Sequence, residues 1–255
     1  MKLPLLPLMP ITWLLVNFIT YPTPIWANPP RAVNNLLLLQ TKQTPQAKPD
    51  FSGDGRSGRR SGGGSRSPCL SKEPPLTALS PVTNWGKTVL EHPTFWFYVP
   101  YSAQEAPLGE FILQEEQGKD VYRTRFTLPG TPGFVSITLP PTATALEINK
   151  SYRWYFKLYC SEQKSSGCIF VEGWVQRVEL TPVLDQQLKA TSPQNYLVYA
   201  DNLIWYDAIA NLAKLRLQNP SNSTLEQDWD SLLKLKGIAL EQLDQEPLVG
   251  SVNQL

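Results

Sequence analysis

Three cysteines, one histidine and a few grouped carboxylates are where chemistry in this 255-residue chain would begin. Cys69, Cys160 and Cys168 offer no C-x-x-C pair, the spacing that tunes a thiol for redox exchange. They can form one disulfide with one thiol left over. Two pairings are open. Cys160 and Cys168 flank the loop SEQKSSG and could close a small hairpin ring. Cys69 and Cys160 would close a longer loop, which removes more entropy from the unfolded chain. A zinc site needs three or four converging ligands, and three scattered cysteines with His92 do not supply them. His92 is also the only imidazole available to a Ser-His-acid triad. It sits in the turn-like segment EHPT, and no G-x-S-x-G is present. No metal or cofactor is expected.

Glu115, Glu116 and Asp120 cluster in EEQGKD without the ligand spacing of a calcium loop. Glu172, in FVEGWVQRV, could be half of a glycosidase pair, or could pair with Arg153, Arg177 or a backbone donor at a strand edge. Trp85, Trp96, Tyr98, Tyr101 and Trp174 are able to stack on sugar rings, but aromatics alternating along strands ordinarily build a core. Trp96, Tyr98, Glu172 and Trp174 make up the candidate binding surface.

These residues ride on segments with a period of two. Thr94–Tyr101, Phe111–Gln114, Val121–Leu128, Gly133–Leu139, Tyr152–Cys160 and Ile169–Leu180 read as strands, the second and third a hairpin turning at Gly118 and the last bending by a bulge at Gly173. After Leu180 the period changes. Thr181-Pro182 opens a helix, and Ser192-Pro193 opens a long one to about Gln218, with Ala200, Ile204, Ala208 and Leu212 on its apolar face. Ser223 and Glu226 form a capping box for a third, with Gly237 as its C′ residue. The fold class expected is α+β: an antiparallel β-sandwich, immunoglobulin-like in general architecture, followed by a C-terminal helical region.

The N-terminus has the form of an export leader. Lys2 precedes an apolar stretch whose cleanest run, Ile11–Ile19, is shorter than the roughly 20 residues of a membrane span, and Ala27 suits the position before a cut. Residues 1–27 are thus a signal peptide, 28–66 a disordered Gly/Ser/Arg-rich linker, 67–181 the sandwich and 182–248 helices packed on it. The linker lacks the interleaved aromatics of a nucleic-acid tether and has no phosphate-loop pattern. The mature chain is then periplasmic or secreted, with no stable membrane span.

GRRSGGGSRSPC, LTALSP, PTFWFYVPY, EFILQEE, YRTRFTLPGTPGFVSITLP, LEINKSYRWYFKLYC and FVEGWVQRVEL, in that order, resemble the exported cyanobacterial family called domain of unknown function 928. The resemblance runs from about Gly58 to Leu248, and PTFWFYVPY and FVEGWVQRV are its specific parts. It implies export and a shared fold, and carries no catalytic residue. It has cysteines at the positions of Cys69 and Cys160, which implies that disulfide, while Cys168 has no counterpart. The function expected is a non-catalytic envelope or secreted interaction module that meets an envelope protein or a glycan, not nucleic acid. The alternatives are a glycan-binding domain using exposed aromatics and a carboxylate-based hydrolase. A solvent-facing aromatic row would favour the first alternative, two carboxylates across a cleft the second, and a closed aromatic core the interaction module.

Overall fold

A strand with apolar residues on one side only must bury that side against another layer. A computed structural model, describing residues 48–62, 69–161 and 167–255, shows what each side meets. The expected leader, and residues 28–47 and 63–66 of the expected linker, lie outside the described residues.

Eight strands come first: β1 (Thr77–Ala78), β2 (Trp85–Thr88), β3 (Thr94–Val99), β4 (Leu108–Glu115), β5 (Asp120–Thr127), β6 (Gly133–Thr138), β7 (Ser151–Tyr159) and β8 (Ile169–Arg177). Four helices follow: α1 (Pro182–Thr191), α2 (Tyr196–Asp201), α3 (Trp205–Gln218) and α4 (Ser223–Leu233). Two short strands, β9 (Leu248–Ser251) and β10 (Asn253–Gln254), end the chain. One sheet has the order β1-β3-β6-β9 and the other β10-β5-β4-β7-β8-β2.

The aromatic residues of β3 divide between two layers. Phe95 and Phe97 point at the six-stranded sheet, where Phe97 stacks on Phe156 at 4.0 Å and Phe95 meets Phe111 at 5.3 Å. Trp96 and Tyr98 take the opposite face, beside Phe134, whose ring meets Trp229 of α4 at 5.3 Å. The four-stranded sheet is therefore buried on both sides, by the other sheet and by helices. This explains why TFWFYV is apolar at nearly every position where a half-exposed strand would alternate.

The architecture is α+β, but two parts of the expectation need correction. The sheets are mixed: β2 runs parallel to β8, and β6 parallel to β9. Parallel neighbours need a long crossover, and the helices supply one between β8 and β9. The helices therefore do not end the chain. They are an excursion, after which β9 joins one sheet and β10 the other, with Val252 between them in the core.

Local expectations are corrected in the same way. Gly173 makes no bulge: β7 and β8 stay in register past it, and a Cβ there would lie 2.5 Å from the Trp154 ring. Register shifts fall instead at Leu113/Gln114 of β4 and Phe134/Val135 of β6. The long helix from 193 is two helices, broken at Leu203 with φ of 57°. Asp201 and Asn202, poor helix formers, mark the break, and it lets Trp205 sit fully buried with its indole N–H on the Leu79 carbonyl at 2.7 Å. The cap of α4 is Asn222, whose side chain accepts from the Thr224 and Leu225 amides at 3.0 and 3.3 Å.

Residues 48–62 do not behave as a linker. Phe51 is buried edge-on against Trp205 at 5.3 Å, and its amide donates to the Lys236 carbonyl at 2.8 Å. Gly237, with φ of 80°, is not the C′ residue of α4; a Cβ there would stand 2.2 Å from the Phe51 carbonyl carbon. Further on, Arg59 exchanges backbone hydrogen bonds with Glu172 of β8, and the Gly62 amide donates to Leu76 beside β1. This strap joins an edge of one sheet to an edge of the other. Its pairing is made by backbone groups, which side-chain composition does not register.

Candidate functional site

Cys69 and Cys160 form a disulfide, with Cα atoms 5.1 Å apart. Sheet register explains the choice of partner. Leu158 lies opposite Ile169, so Tyr159 lies opposite Cys168, and both point away from the core on the outer face of the six-stranded sheet. Cys160, one residue further, points to the other face, where Cys69 waits. The Cys168 thiol stays free, and burial raises its pKa, so it makes a poor thiolate nucleophile.

The four candidate surface residues do not come together. Trp96 and Tyr98 lie under the helices, while Glu172 and Trp174 lie on the far face of the six-stranded sheet. Glu172 is held by Arg153 at 2.7 Å. Trp174 is 8% exposed, with the Arg56 guanidinium 4.6 Å from its ring centre and its N–H donated to the Ser57 carbonyl. These four residues form no solvent-facing aromatic row. His92 donates from Nε2 to the Ala143 carbonyl at 3.1 Å. The loop acids are engaged as well: Glu116 pairs with Arg56 at 2.6 Å and Asp120 with Arg123 at 2.8 Å. Among the described residues no group of three or more His, Cys, Asp or Glu could hold a metal ion, and no helix is long and apolar enough to cross a membrane.

The outer face of the four-stranded sheet and the facing side of α3 leave a cleft of about 440 Å³. Trp96, Ser136 and Thr138 line the sheet side, and Asp207, Asn211 and Lys214 the helix side. The volume is within the roughly 300–1,000 Å³ of small-ligand sites. Two hydroxyl pairs mark the sheet wall: Thr94 with Thr138 at 2.8 Å, and Ser136 with Ser251 at 3.4 Å. The Trp96 indole N–H is buried with no acceptor among the described residues. Such an orphaned donor costs about 1–3 kcal/mol.

Asp207 is the group that sequence reasoning missed. It is 3% exposed, accepts from the Thr88 hydroxyl at 2.6 Å and the Val89 amide at 2.7 Å, and so ties the end of β2 to the first turn of α3. Burial raises its pKa to about 7 against the lowering effect of those two bonds. Burial, and then the Asp207 charge, push the neighbouring Tyr199 up to about 12. The available signal was one acid within the buried run WYDAIA. The titratable side chains that line this cleft are Asp207, Tyr199 and Lys214.

Fold and site together define a disulfide-stapled two-sheet module with a helical excursion and a ligand-sized cleft under it. Residues 61–248 match the family described as Domain of Unknown Function (DUF928), and the chain belongs to that family. No curated protein matches its sequence.

Proposed function

We propose that this protein is an exported, non-catalytic interaction module whose ligand site is the cleft between β3, β6 and α3. The observation that carries the reading is the chemistry of that cleft. Its one carboxyl, Asp207, is committed through both oxygens to Thr88 and Val89, and the remaining polar groups are neutral hydroxyls and amides with Lys214 beside them. Such a lining is suited to orienting a ligand, with Lys214 and Tyr199 the other titratable side chains on its walls. The closed aromatic core favours an interaction module over a surface lectin. Export is supported by the Cys69–Cys160 bond, since disulfides persist in oxidising compartments, and by the leader-like residues 1–27.

Two measurements test this. Intact mass of fractionated protein is expected to show an exported species beginning near Asn28; a full-length cytosolic species would contradict the address. Native mass spectrometry after incubation with envelope extract is expected to show a bound ligand on the mature protein. The variant Ala210→Trp, which fills the cleft, is expected to lose it. Equal retention by that variant, at unchanged thermal stability, would place binding elsewhere.

A further inference from the structure

We propose that the cleft takes a neutral sugar of one or two pyranose rings, held by hydrogen bonds from its walls while the surface aromatics take no part. This rests on the cleft being the ligand site. The distribution of charge selects the class. An anionic ligand would find a single cation, Lys214, among the cleft's lining residues, beside Asp207, which takes on negative charge above about pH 7. A cationic ligand would find the Asp207 oxygens already occupied by Thr88 and Val89. An apolar ligand would gain contact with Leu90, Ala210 and Leu217 but would cover Thr94, Thr138, Ser136 and Ser251 without replacing the water on their hydroxyls.

What those hydroxyls suit is a partner that both donates and accepts at neighbouring positions, as vicinal alcohols do. Thr94 with Thr138, and Ser136 with Ser251, are two adjacent pairs on one sheet face, and in each pair the hydroxyl that accepts from its neighbour keeps its own hydrogen to donate outward. Asn211 spends its side-chain oxygen on the Tyr196 amide at 2.9 Å, which fixes the carboxamide and leaves its NH₂ as a donor. Trp96, itself 4% exposed, lines the cleft with its ring, while its indole N–H is buried with no acceptor among the described residues. The aromatic contribution is thus apolar contact from that ring, beside Leu90 and Leu217, against the C–H face of a sugar, which is why a row of exposed rings is not required.

The test uses the mature, oxidised chain labelled with ¹⁵N. The Trp96 indole resonance is assigned with Trp96→Phe, and the protein is titrated separately with maltose, cellobiose, chitobiose and a sulfated disaccharide. The expected result is a saturable shift of the Trp96 indole and Asn211 carboxamide signals with at least one neutral sugar. That affinity should fall by about tenfold in Thr138→Val/Ser251→Ala and vanish in Ala210→Trp. Tighter binding of the sulfated sugar, or neutral-sugar binding undiminished in Ala210→Trp, overturns the inference. If no sugar moves either signal while Ala210→Trp still loses the extract-derived ligand, the sugar is wrong and the cleft stands. If Ala210→Trp retains that ligand, the reading of the cleft itself has failed.

Discussion

Replacing Asp207 by Asn should remove a pH dependence of stability that the wild-type fold carries. Burial raises the folded-state pKa of Asp207 to about 7, from 3.8 for the free side chain. Between those values the folded protein keeps a proton that the unfolded chain has released. Unfolding stability falls wherever the folded state binds more protons, so it declines as pH rises from about 4 to about 7 and is level above that. At 1.36 kcal/mol for each pKa unit, the full change is about 4 kcal/mol. Asn stands in for the neutral acid. Its carbonyl can accept from the Val89 amide, and its NH₂ can donate to the Thr88 hydroxyl, which already accepts from Leu90 at 3.0 Å. Urea unfolding of both proteins from pH 4.5 to 8.5 isolates the effect, because all other titrating groups are shared and cancel in the difference. The Asn variant should gain on wild type by about 3 kcal/mol across that range, most of it below pH 7.5. A difference that stays constant with pH would mean that Asp207 is ionised at the base of the cleft throughout.

Non-reducing peptide mapping should give a crosslinked Cys69–Cys160 peptide with Cys168 alkylated. Replacing Cys69 and Cys160 together by Ser should lower stability by about 5 kcal/mol in the chain-entropy account of a bond spanning 91 residues. Trypsin should spare Arg56, Arg59 and Arg60 in the wild type, and Phe51→Ala should expose them at a cost of about 3 kcal/mol; rapid wild-type cleavage there would restore the linker reading. Ile204→Asp, which puts a charge against Val89, Leu184 and Leu188, should destabilise by about 3 kcal/mol or more in thermal or urea unfolding.

Local sequence signals registered where a residue's neighbours along the chain decide its state. The period-two segments became strands, Thr181-Pro182 capped α1 with the Thr181 hydroxyl on the Leu184 amide, and Ala200, Ile204, Ala208 and Leu212 are all buried. What stayed hidden depends on distant partners. WGKT is too short to announce a strand, and it becomes β2 because β8 offers an edge and Gly86 lets the Tyr206 ring approach. LVGS becomes β9 only after the helices return it to β6. The strap from Asp50 to Gly62 carries one large apolar anchor, Phe51, in a run of Gly, Ser and Arg, so its composition matches a solvated linker. The candidate surface was read from side-chain type alone, which cannot tell the inner face of a sheet from one under helices.

That distinction also explains how a cleft arises on a sheet so rich in aromatics. The helices close completely over the Phe134 end of the outer face, where Trp229 meets the ring. Toward Thr94 and Thr138 the same face turns to hydroxyl side chains, which a helix cannot cover without providing partners. The chain end reinforces this half of the wall: Val252 donates its amide to the Ser136 carbonyl at 2.9 Å, and Gln254 its side-chain amide to the Thr138 carbonyl at 3.3 Å. These bonds satisfy backbone groups and leave the Ser136 and Thr138 hydroxyls facing the gap. A helix packed there by apolar contact would strand those hydroxyls, so α3 follows the sheet by its Ile209, Leu212 and Ala213 side and presents Asn211 and Lys214 to the opening. The gap is therefore where the two layers stop matching, and a ligand there would meet the hydroxyls of the sheet wall together with Leu90, Ala210 and Leu217 beside Asn211 and Lys214.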